Sequence, residues 1–152
     1  MHIGNYLKLL QQSEKTLVPS FSKVAEQHGD EPDITGNCNL SGKWSQGFVE
    51  ALEPFVAKYK PEKNNEPRKL MCTLFDKTRK GSLGLLRDLH DLWLLANEAQ
   101  LSCLLLKQAA DGLQDQPLKL TCEQIEEKTK KQLAWLLSRM KQAAPQILIA
   151  AE

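Results

Sequence analysis

The sequence predicts an all-α protein: a four-helix bundle of two antiparallel helix pairs, with a long connector between the second and third helices. Three observations predict it. Apolar residues recur at alternating spacings of three and four in four separate stretches; the loops inside each pair, GDEPD and GLQDQPLKL, are short; and more than twenty residues separate Tyr59 from Leu83. At 152 residues the chain suits a single domain, long enough to remove about two-thirds of its unfolded surface from water.

The first helix is expected over residues 3–28. Counting from Ile3, its stripe is Leu7, Leu10, Glu14, Leu17, Phe21 and Val24, ended by His28. Pro19 removes one backbone donor inside it, and Gly29 is placed to close it. The second helix carries Trp44, Phe48, Leu52, Phe55 and Tyr59, and its start is undecided because PDITGNCNLSG holds two glycines. The connector contains a polar Pro/Asn stretch, a candidate short helix RKLMCTLF and the hinge-like TRKGS. Its reach, on the order of 50 Å against ~35 Å for a bundle helix, suffices for a crossover along the bundle or for a simple return.

The third helix is expected from Leu83 to Ala110. One stripe runs Leu85, Leu89, Leu92, Ala96, Ala99, Cys103, Leu106 and Ala110; a second strip, Leu86, Trp93, Leu94, Leu101, Leu104 and Leu105, occupies much of the opposite side. A helix apolar nearly all round is buried on more than one side. Thr121 with Gln124 reads as a capping box for the fourth helix, which turns Cys122, Ile125, Thr129, Leu133, Leu136, Met140 and Ala143 inward and ends at Pro145. The tail QILIAAE, with Ile147 and Ile149, is apolar enough to pack on its own bundle or on a second copy.

Composition narrows the function classes. Twenty Lys and Arg against nineteen Asp and Glu give a net charge of +1 with no basic concentration, which argues against nucleic acid. Cys38, Cys72, Cys103 and Cys122 are too widely spaced for a zinc pattern or a dense disulfide framework and read as small buried hydrophobes. There is no signal-peptide run and no 18-residue apolar span, so the expectation is a cytoplasmic protein away from membranes. GNCNLSGK resembles a P-loop but has one residue too many between its glycines, ends before Trp, and follows no apolar strand. No G-x-S-x-G elbow is present.

The ionisable residues on the helices separate by the side they face. Glu14 and Asp88 point inward; Glu126 lies on the flank of its helix; Glu50, Glu53 and Glu123 point away. Asp88 and Glu126 should stand roughly 27 Å apart along the axis if the third and fourth helices pair through their loop. Arg139 or Lys141 is the expected ionic partner of Asp88, and Thr129 or Gln132 the expected polar neighbour of Glu14. His90 falls opposite the main stripe near Trp93, Leu94 and Asn97, where it could orient a partner helix, and His28 sits where the helix dipole favours a cation.

Two pairs of helices joined by one long connector resemble the ferritin-like arrangement. That resemblance implies a di-metal carboxylate site with Glu-x-x-His motifs, yet no E-x-x-H string occurs in this chain. Under it, iron or manganese would be held by Glu14 first, with Asp88, Glu126, His28 and His90 as helpers. The reading the residues favour is a non-catalytic interaction or accessory protein with no cofactor. It would self-associate, as a homodimer or with a protein partner, through Leu86, His90, Trp93, Leu94, Leu101, Leu104, Leu105, Ile147 and Ile149. A third reading is a small apolar ligand between the helices near Trp44, Trp93 and Trp135.

Overall fold

In a computed structural model, residues 2–61 and 77–150 are described. They form four helices: α1 (Ile3–Gln27), α2 (Pro32–Lys58), α3 (Gly81–Gly112) and α4 (Gln116–Pro145), followed by one π-helical turn, Gln146–Ala150. The candidate short helix RKLMCTLF and Cys72 lie outside the described residues. Among the described residues no helix is long and apolar enough to cross a membrane.

Helix directions follow from which ends touch. The end of α1 meets the start of α3, because His28 Nε2 lies 2.9 Å from Asp88 Oδ2 and Thr78 Oγ1 lies 3.5 Å from Gln27 Oε1. The end of α2 meets the α3–α4 loop, because the Tyr59 hydroxyl donates to Asp115 Oδ2 over 2.6 Å. Hence α1 is antiparallel to α2 and to α3, α4 returns along α3, and α2 and α3 run the same way. The connector therefore begins at one end of the bundle and finishes at the other, which settles the choice its length left open. Glycines seat both ends of it. A Cβ on Gly4 would come within 2.6 Å of the Lys60 carbonyl oxygen, and one on Gly84 within 2.9 Å of Arg79 Cβ.

The core is built from the predicted stripes. Leu7, Leu10, Leu17, Phe21 and Val24 of α1 are wholly buried, as are Leu89, Leu92, Ala96 and Cys103 of α3. Each fully buried leucine contributes about 1.5–3 kcal/mol relative to exposure. In α2 the buried face starts earlier than predicted, with Ile34, Cys38, Ser41 and Ser45 preceding Phe48 and Leu52. Pro32 opens that helix at a position where its missing N–H costs nothing, so the stretch 36–43 is regular helix and offers no phosphate loop.

Two expectations about helix ends are corrected. Thr121 is interior to α4; the cap is Asp115, whose side chain accepts from the Leu118 N–H over 3.2 Å. Asp115 wins because Pro117 follows it, in the first turn, where a helix tolerates proline. Helix α1 stops at His28 with φ −114°, and Gly29 is not among the positive-φ residues, so no left-handed glycine cap closes it.

Candidate functional site

The first candidate is the ionic cluster at the start of α3. Asp88 is wholly buried and receives the His28 ring nitrogen at 2.9 Å, the Arg79 guanidinium at 2.9 Å and the Arg79 backbone N–H at 3.0 Å. The same guanidinium reaches Asp91 Oδ2 at 2.9 Å. Bonding to Asp91 first, and to Asp88, pushes the Arg79 pKa up and keeps it a cation. A carboxylate removed from water needs this many donors. The cluster ties together three pieces of chain: the end of α1, the arrival of the connector, and α3.

This corrects the expected partner of Asp88. Arg139 instead bonds Asp33 at 2.7 Å and Glu31 at 3.4 Å, across the start of α2. The expected level along the bundle is the right one, but Asp88 turns toward α1 and the connector rather than toward α4. Arg79 carried no sequence signal, since it precedes α3 and shares no helical spacing with Asp88. Next to the cluster opens a cavity of about 910 Å³, lined among others by His28, Lys80, Ser82, Arg139, Gln142 and Gln146. Its charges are mixed, and Arg139 is already engaged by carboxylates.

The second candidate is the polar patch in mid-core. Glu14 is fully buried, and neither of its carboxyl oxygens has a hydrogen-bond partner. Burial pushes its pKa up to about 8, with the Ser45 hydroxyl nearby pulling part of the way back. Ser45 is itself engaged by Gln132 Nε2 at 3.2 Å, and Gln132 Nε2 also reaches the Ser41 carbonyl at 3.0 Å. Thr129 Oγ1 and Gln132 Oε1 are buried without partners, so the expected bonds from Glu14 to these residues are absent. With no cation beside it among the described residues, this carboxyl is held as the neutral acid at neutral pH.

The five residues named as metal ligands do not converge. Glu14 stands alone in mid-core; His28 and Asp88 meet at one end; Glu126 pairs with Lys107 and Lys130, each at 2.9 Å, which lowers its pKa; His90 is exposed on the outer side of α3. Among the described residues no group of three or more His, Cys, Asp or Glu side chains is placed to hold a metal ion. Neither Trp44, Trp93 nor Trp135 lines the 910 Å³ cavity or the apolar groove described next. Trp44 is covered by Lys128, whose ammonium lies 4.7 Å from the ring centre.

The third candidate is the outer face of α3. Its main stripe is buried, but the second strip is not: Leu94, Leu101 and Leu105 are 39%, 59% and 46% exposed, with Leu83 at 57%. Leu86, Trp93 and Leu104 are half-buried beside them, so the described residues leave the opposite side of this helix in large part uncovered. At the far end, Leu105 continues into an apolar groove of about 440 Å³ with Tyr6, Ala109 and Leu113. In the tail Ile147 is half-buried, while Leu148 and Ile149 are exposed at 63% and 84%.

Comparison with protein-family models, with curated proteins and with solved structures finds no match to this chain.

Proposed function

We propose that this protein is a non-catalytic helical-bundle interaction protein that self-associates, as a homodimer, through the outer face of α3 and the C-terminal tail. The observation that carries this reading is the row Leu83, Leu94, Leu101 and Leu105, left between 39% and 59% exposed on a helix whose other side fills the core. Monomers seldom leave so extended an apolar strip in water, and where they do it marks a contact surface. The helix directions agree with the one-crossover arrangement of ferritin-like bundles, and we place the chain with that architecture. The metal chemistry of that class gains no support here, because among the described residues no three of its five candidate ligands gather at one place. We further propose a cytoplasmic location.

Sedimentation equilibrium tests the reading. The expected result is a dimer at micromolar concentration, converted to monomer by Leu101→Glu with helix content and unfolding midpoint of the monomer unchanged, since Leu101 is 59% exposed. A wild-type chain that stays monomeric at several hundred micromolar overturns it.

A further inference from the structure

Resting on that reading, we infer that the occupant of the α3 face is a second copy in antiparallel register, paired about a twofold axis beside Asn97. The face follows a 3.5-residue repeat through Arg87, His90, Leu94, Asn97, Leu101 and Leu104, continuing to Gln108 and Asp111. Turned end for end about Asn97, the row matches itself. Leu94 meets the partner's Leu101, His90 meets the partner's Leu104, and Arg87 meets the partner's Gln108 within one turn of the partner's Asp111.

Charge selects this direction. Arg87 is exposed with no ionic partner among the described residues, and Asp111, exposed and held at one oxygen by Lys119 at 2.7 Å, has acceptor capacity left. Antiparallel pairing brings these opposite charges together at both ends. Parallel pairing would set Arg87 against Arg87 and Asp111 against Asp111, with His90 against His90 between them, and like charges opposed across an interface are unfavourable. Asn97 stands at the centre of the row, and a polar Asn there fixes register between paired helices without choosing their direction.

Area gives a second reason. From Leu83 to Gln108 the face is ~38 Å long at 1.5 Å per residue and about 10 Å wide, so α3 alone offers roughly half of the ~800 Å² per partner that a stable dimer buries. The remainder must come from the ends. At one end lies the apolar groove between Tyr6, Leu105, Ala109 and Leu113; at the other, Leu83 and the tail residues Leu148 and Ile149 are exposed. The antiparallel arrangement sets the exposed Leu83 of each copy toward the apolar groove of the other, and it does so twice.

Disulfide trapping tests the register at two exposed positions, so the fold is not at stake. In a Cys72→Ser background the remaining native cysteines, Cys38, Cys103 and Cys122, are buried. Leu94→Cys and Leu101→Cys chains carrying different tags are made singly and coexpressed, then mildly oxidised. The expected result is a mixed disulfide dimer as the main cross-linked product of coexpression, at least tenfold above either single variant alone. Cross-linking of each variant with itself, in a protein that sediments as a dimer, overturns the antiparallel register while leaving self-association standing. A sedimenting dimer with no cross-link in any sample overturns the α3 seam, and a monomer overturns this inference and the proposed function together.

Discussion

His28 and Asp88 lie 60 positions apart in the chain and 2.9 Å apart in the fold, the carboxylate wholly buried and the imidazole nearly so. Because Arg79 delivers both its guanidinium and its backbone N–H to the same carboxylate, the connector is fastened where it reaches α3. Asp88→Ala leaves those donors facing an emptied site. The expected loss is ~3–5 kcal/mol, read as a lowered urea midpoint with an unchanged m-value. A loss below about 1 kcal/mol would mean that the cluster is not a tie.

Glu14 should make stability fall as pH rises. Its folded pKa, about 8, lies above its ordinary value of 4.5, so between those limits the unfolded chain releases a proton that the folded chain keeps. The Glu14 contribution to folding stability is fully present below pH 4.5, declines from there to about pH 8 and is then flat, a total on the order of a few kcal/mol. Glu14→Gln removes this decline and is expected to raise stability at pH 7 and above. Urea titrations at pH 5, 7 and 9 for both proteins measure the difference; parallel pH profiles would contradict the assignment.

At the opposite end, Asp115 caps α4 and receives the Tyr59 hydroxyl at 2.6 Å and the Lys58 ammonium at 2.9 Å. These bonds, the Tyr59 hydroxyl first, hold its carboxyl below the usual carboxylate range. A depressed pKa contributes stability that is present above the unfolded value of 3.8 and lost as pH falls through the folded one. Asp115→Ala should cost ~1–2 kcal/mol at pH 7. Tyr59→Phe should cost about half of that, and thermal melts at pH 7 and pH 2.5 should show the Asp115→Ala penalty shrinking in acid.

Cys103 donates its thiol to the Cys122 carbonyl at 3.0 Å; the neighbouring Cys122 side chain first, and burial with it, push the Cys103 pKa well up, and burial pushes Cys38 up to about 12. Thiolates are the reactive form, so these two should resist alkylation in the native protein. In a Cys72→Ser background, mass spectrometry after a short iodoacetamide pulse should find Cys38 and Cys103 unmodified without denaturant and labelled with it.

The stripes on α1 and α3 were legible because burial enforces a 3.6-residue period over many turns: Leu7 to Val24 and Leu85 to Ala110 read correctly residue by residue. Facing was legible for the same reason, placing Glu14 and Asp88 inside and His90 outside. Pairing was not. Whether His28 meets Asp88 depends on the direction of α3, which the connector's length alone left undecided, and Arg79 acts from a non-helical position where no period applies. The cap of α4 was misread because two local signals competed within seven residues, and an aspartate ahead of proline outweighed the Thr121 and Gln124 box.

The glycine-seated connector also sets an order of events during folding. Each of the α1–α2 and α3–α4 hairpins joins neighbours through a loop of a few residues and can assemble from nearby contacts, whereas α1 finds α3 only by closing a much longer span, and nearby contacts form faster. Docking of two preformed hairpins is then the slow event. Amides along the α1–α3 seam should accordingly gain hydrogen-exchange protection last.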